Sequence, residues 1–159
     1  MKIKILAVGK IKEQYFKDAI CEYLKRLSRF AEIEIIEIND QSVADRPSQK
    51  EIEKAKDIEA QKVLKKIKND EHVILLDLGQ KELESPQFAV FLERKLIDNG
   101  GKLLFVIGGS YGLGEALKKR SNDSISLAKM TFTHQMSRII FLEQLYRAFK
   151  ILNNEVYHK

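Results

Sequence analysis

The chain has 159 residues, 44% of them hydrophobic and 32% charged, with a formal net charge of +5. That is enough chain to bury a core without disulfides or metal, and it is too apolar for intrinsic disorder. The single cysteine, Cys21, excludes a disulfide framework and a paired-cysteine metal site, and the absence of an eighteen-residue apolar run argues against a membrane span; one cytoplasmic domain, residues 1–159, is expected.

In chain order, short apolar runs alternate with longer amphipathic ones. "KIKILAV" (2–8) is β-rich and ends at Gly9, and residues 12–30 place Tyr15, Phe16, Ala19, Ile20, Tyr23, Leu24 and Leu27 on one helical stripe. "EIEIIEI" (32–38) is a second strand, and a polar loop with Pro47 then leads to a helix from Ser48 to Lys68. Ser48 and Glu51 have capping-box spacing. "HVILLDL" (72–78) is continuous enough to be buried on both faces of a parallel sheet. The next helix takes Ser85 as its N-cap, Pro86 at its first position and Gly100 past its end. "KLLFVIGG" (102–109) is a fourth strand, "GEALKKRS" a short helix, "SISLAKM" (124–130) a weak fifth strand and residues 134–152 a final helix. Strand–helix alternation of this kind predicts an α/β fold with a mainly parallel sheet flanked by helices.

Charge is unevenly placed. Residues 1–30 and 118–159 each carry eight basic side chains against three acidic ones, whereas residues 31–117 carry twelve against seventeen. Two basic segments that fold onto one face would suit a polyanion.

Ligands of parallel α/β folds sit outside the carboxyl ends of the strands, which directs attention to Asp77–Gly79, to "GGSYGLG" (108–114) and to Ala128–His134. The glycine cluster has neither the dinucleotide nor the phosphate-loop spacing, and it follows the fourth strand rather than the first. Two readings stay open for it: tight turns with close helix approach, or bare backbone groups facing a ligand. Thr131 or Thr133 is placed to cap the last helix, and His134 stands in its first turn. That helix has little polar surface, with Glu143 and Arg147 spaced to pair, and is either central or an oligomer interface.

The stretches "LLDLGQKELESPQFA" (75–89), "FVIGGSYGLGEAL" (105–117), "LAKMTFTHQMSRIIFLEQLYRAF" (127–149) and the terminal "YHK" together resemble the ribosomal RNA large subunit methyltransferase H family of the SPOUT superfamily, over essentially the whole chain. The resemblance implies a homodimer with a trefoil knot in its C-terminal part. It also implies an S-adenosylmethionine-dependent enzyme that methylates N3 of a pseudouridine in helix 69 of 23S rRNA on the large subunit or whole ribosome. Cofactor contacts carried over by residue fall on Leu76, Gly108, Leu127, Ala128, Lys129, Met130, Thr131 and Phe132. The chain departs from the family where Ala128-Lys129-Met130 stands in place of a frequent proline and leucine.

A pseudouridine N3 becomes nucleophilic only when its imide proton leaves, so the site needs a base or a stabilised anion. His158 and His134 are candidate bases, Tyr157 would stack on or hydrogen-bond the nucleotide, and Arg138 would stabilise the anion or hold a phosphate. The resemblance places the tail near the cofactor cleft, with the partner subunit as one possible source. Arg138 has a second reading as an ion pair at the dimer interface. No metal is called for, and no ligand cluster is offered. A related enzyme acting on another rRNA or tRNA nucleotide, and a non-catalytic RNA-binding module, are the competing readings.

Overall fold

Period-two alternation in the strands sets the architecture of the computed structural model, which describes residues 1–157. The strands are β1 (Lys2–Val8), β2 (Glu32–Ile38), β3 (Val73–Glu82), β4 (Lys102–Ile107) and β5 (Asp123–Ser126). Between and after them come α1 (Gln14–Leu27), α2 (Gln49–Leu64), α3 (Ser85–Asp98), α4 (Glu115–Arg120) and α5 (His134–Leu152). They form one sheet in the order β2-β1-β4-β3-β5, every neighbouring pair parallel.

Successive side chains leave a strand on opposite faces, so each inner strand feeds two cores. Ile3, Ile5, Ile74, Leu103 and Phe105 join Leu27, Phe88, Leu92, Phe141, Leu145 and Phe149 beneath α1, α3 and α5. Leu6, Val8, Leu75, Leu104 and Val106 meet Ala60, Val63, Leu113 and Leu117 beneath α2 and α4. Phe105 and Phe141, ring centroids 4.7 Å apart, join sheet to α5. Residues buried on both faces of a parallel sheet must be apolar throughout, which explains the near-continuous runs of β1 and β4. The apolar last helix is therefore central: Phe141, Leu142, Leu145, Ala148 and Phe149 are all buried.

Several boundaries move for physical reasons. Glu84, not Ser85, is the N-cap of α3, because the Ser85 hydroxyl donates instead to Gln144 Oε1 on α5 at 2.8 Å. Only the first part of β3 is buried as expected. Its strand continues to Glu82, pairing Lys81 and Glu82 with Ile125 and Ser126 of β5 after an irregularity beyond Leu76. β5 is shorter than the apolar run suggests, since Leu127 onward leaves the sheet. The capping box of α2 forms: the Glu51 N–H donates to Ser48 Oγ at 3.2 Å, and the Ser48 N–H donates to Glu51 Oε2 at 2.7 Å. Among the described residues, no helix is long and apolar enough to cross a membrane.

Candidate active site

Three segments, the middle of β3 where its pairing with β5 is interrupted and the carboxyl ends of β4 and β5, wall a cavity of about 420 Å³. The first supplies Leu76, Asp77 and Leu78, the second the run Ile107 to Leu113, and the third Ser126 to Ala128 and Met130 to Phe132. Lys56 of α2, Lys118 of α4, and His134 and Ser137 of α5 complete the lining.

The glycine segment is a tight turn held against α2. The Gly112 N–H donates to Gly109 O at 3.1 Å, and Gly112 takes φ +87°, a conformation other residues rarely adopt. A Cβ on Gly114 would lie 2.8 Å from Lys56 O and 3.0 Å from Ala60 Cβ, so only glycine lets α2 come this close. Glu59, one turn from Lys56 and 8% exposed, accepts the Gln41 N–H at 2.8 Å. It also backs Gly109, whose added Cβ would lie 3.5 Å from its Oε1. Burial pushes this carboxyl up from the ordinary range, against the Gln41 hydrogen bond, which lowers it. The reading of tight turns and close helix approach holds at Gly112 and Gly114, and Gly108, Gly109 and Gly112 also line the cavity.

The third segment ends where Thr133 Oγ1 accepts the Met136 N–H at 3.3 Å and starts α5. Of the eight positions expected to meet a cofactor, Leu76, Gly108, Leu127, Ala128, Met130, Thr131 and Phe132 line the cavity. Lys129 is exposed and not part of the lining.

The three expected catalytic positions among the described residues, His134, Arg138 and Tyr157, are dispersed. His134 lines the cavity, with its ring so close to Gly9 that an added Cβ there would lie 2.8 Å from Cδ2 and Nε2. Arg138, one turn further, is 2% exposed. Its Nη1 donates to Glu37 Oε1 at 2.7 Å and its Nη2 to the carbonyls of Val8 and Gly9, so its ion pair lies within the chain. Burial lowers its pKa, and Glu37 works in the opposite sense. Tyr157 donates its hydroxyl to Glu143 Oε1 at 3.2 Å, packs edge-on against Tyr146 and lies under the Arg147 guanidinium. Desolvation first, and then the Glu143 charge, pushes its phenol up to about 12. Glu143 is nine residues beyond His134, roughly 14 Å along the helix axis at about 1.5 Å per residue. Tyr157 is not part of its own chain's cavity lining. His158 lies outside the described residues.

Lys56, Asp77 and Lys118 are lining residues beyond those expected to bind or react. Asp77 had a sequence signal, a carboxylate just before Gly79 at a strand's end. Lys56 had none, since its place depends on how α2 packs on the glycine turn. A second hollow of about 560 Å³ lies at the amino ends of the strands. Two of its lysines are already engaged: Lys2 with Glu32 at 3.0 Å and Lys4 with Glu71 at 3.2 Å. Among the described residues, no group of three or more histidine, cysteine or acidic side chains is arranged to hold a metal.

A parallel α/β protein whose ligand cavity is built from backbone-rich loops at the carboxyl strand ends is the class that fold and site define. The chain matches the family described as "Predicted SPOUT methyltransferase" over residues 1–158 and belongs to that family. It is 47% identical to a ribosomal RNA large subunit methyltransferase H of Ruminiclostridium cellulolyticum over the full length of both chains. It is 48% identical, again over the whole of both, to the protein of that name from Clostridium botulinum. A solved Legionella pneumophila protein, Lpg2936, in complex with the bound cofactor SAM, is similar with a TM-score of 0.48 and 10% identity, over 94% of this chain and 66% of that one.

Proposed function

We propose that the protein is a single-domain, S-adenosylmethionine-dependent methyltransferase acting on N3 of a pseudouridine in helix 69 of 23S rRNA, in the cytoplasm and on the assembled large subunit or ribosome. The observation that carries this reading is the cavity, walled by the middle of β3 and the carboxyl ends of β4 and β5, in a chain 47–48% identical from end to end to two large subunit rRNA methyltransferases. The residues present fit the cofactor. A volume of about 420 Å³ is within the roughly 300–1,000 Å³ of small-molecule sites. Leu76, Ile107 and Leu127 offer apolar surface, and the glycine turn offers backbone groups.

When bound, S-adenosylmethionine supplies an electrophilic methyl group on a sulfonium. The chain's task is to align the acceptor nitrogen and remove its proton. Leu76, Gly108, Leu127, Ala128, Met130, Thr131 and Phe132 hold the cofactor, while Lys129, outside the lining, shapes the loop that carries them. His134, at the wall, is placed to take the imide proton. Arg138 contributes through what it holds, because its Nη groups fix the end of β1 against which His134 packs. Tyr157 and His158 reach the nucleotide from the partner of a homodimer, the arrangement favoured by the docking of Tyr157 on its own α5 far from its own cavity. The trefoil knot belongs to the same proposal.

Mass spectrometry of rRNA from a deletion strain tests it. N3-methylpseudouridine should disappear on deletion and return with the intact gene. Persistence of that modification, or loss of a different one, would overturn the reading.

A further inference from the structure

Among the described residues, the cavity's charged lining includes two lysines, Lys56 and Lys118, and one carboxylate, Asp77. Lys56 pairs with Glu53 at 3.5 Å. Lys118 is shared, its Nζ 3.6 Å from Asp77 Oδ2 and 3.8 Å from Glu115 Oε1. The two carboxylates differ in environment, the Asp77 side chain being 11% exposed and that of Glu115 72%. A separation of 3.6 Å is an ion pair beyond hydrogen-bonding length, so Lys118 balances the Asp77 charge without locking it.

Backbone irregularity accounts for the position of Asp77. Pairing of β3 with β5 runs through Leu76 and resumes at Lys81 in a shifted register, with Gly79 at φ +79° between them. Such interruptions re-aim side chains beside sites. Here one puts a largely buried carboxylate on the wall of a cavity.

We propose that Asp77 is the residue by which this cavity distinguishes the methyl donor from its spent form. S-adenosylmethionine carries a sulfonium charge, and S-adenosylhomocysteine has a neutral thioether in its place while the rest of the molecule is shared. The Asp77 carboxylate supplies the attraction for that extra charge. Lys118 serves as its counterion until the donor arrives and then turns to Glu115. Product release is eased by the same device, since the spent cofactor lacks the sulfonium charge that held Asp77 against the returning lysine. The inference rests on the reading of the cavity as an S-adenosylmethionine site.

Calorimetric titration of the full chain with S-adenosylmethionine and with S-adenosylhomocysteine separates the two levels. In the D77N variant, affinity for S-adenosylmethionine should fall about tenfold, or about 1.4 kcal/mol, with that for S-adenosylhomocysteine changed less than about twofold. K118M should tighten S-adenosylmethionine severalfold and leave S-adenosylhomocysteine unchanged, and it decides the matter if D77N does not fold. Equal loss of both compounds in D77N would overturn the inference, because the carboxylate would then hold a group the two share. No change in either variant would overturn it as well. Absence of heat with both compounds in the unaltered protein would instead remove the parent reading.

Discussion

The guanidinium of Arg138 on α5 reaches the carboxylate of Glu37 on β2 at 2.7 Å while also donating to the carbonyls of Val8 and Gly9 at the end of β1. One fully buried cation thus binds the last helix to two strands. Glu37 holds the other side of the junction, accepting the Ile11 N–H at 3.1 Å. Arg138→Met should cost about 2–4 kcal/mol, below the roughly 3–5 kcal/mol for breaking a fully buried pair because the Glu37 side chain is 38% exposed. Arg138→Lys should recover only part of that, since an ammonium lacks the planar fork that serves three acceptors. Urea denaturation of the three proteins checks this. Equal stability would show that the junction does not depend on the fork.

Gly114→Ala tests the support of the glycine turn. Its Cβ would press on backbone, Lys56 O at 2.8 Å, which cannot rotate away. A loss of about 1–3 kcal/mol is expected, with weakened S-adenosylmethionine binding as the turn shifts against the cavity. Thermal unfolding and calorimetry measure both. An alanine tolerated without loss would mean that α2 does not set the turn.

Glu59→Gln should change how stability depends on pH. Desolvation raises the folded-state pKa of Glu59 and the Asp40 charge adds to that, while the Gln41 N–H and Lys62 pull the other way. A carboxyl raised on folding contributes stability that is present below its unfolded value near 4.5 and lost as pH climbs through the folded value. Glutamine keeps an acceptor for Gln41 without that loss. Melting temperatures from pH 4 to pH 8 should show the variant gaining on the parent as pH rises, then holding a constant lead. A difference independent of pH would contradict the assignment.

The tail makes a separate prediction about assembly. If Tyr157 and His158 serve the partner's cavity, a copy lacking residues 157–159 and a copy with a blocked cavity, such as Gly108→Val, complement each other. Random pairing then leaves about a quarter of the sites competent, whereas each variant alone is inactive. Methylation measured after co-expression decides it. No recovery in the mixture would mean that each tail serves its own chain.

Much of the core was legible in the sequence because burial on both sheet faces demands continuous apolar runs, as in the "VIL" of β3 and the "LLFVI" of β4. Ser48 was legible as a cap from its spacing to Glu51, and the cap of α5 was legible as one of two threonines, of which Thr133 takes the role. Ser85 was not, since Gln144, distant in sequence, captures its hydroxyl. The cavity segments were locatable from strand ends alone, yet its charged wall was not: Lys56 and Lys118 arrive on helices whose placement depends on glycine contacts. Arg138 shows the limit most clearly. Residue type and position made it a candidate for holding an anion or for an ion pair at a dimer interface, and only folding reveals that Glu37, 101 residues away, and the carbonyls of Val8 and Gly9 occupy it.

The most direct measurement incubates the purified protein and ribosomes from a deletion strain with methyl-labelled S-adenosylmethionine, then maps the label on 23S rRNA by mass spectrometry. Stoichiometric label on N3 of one pseudouridine in helix 69 is the expected result. Label on another nucleotide, or none in a preparation that binds the cofactor, would contradict it.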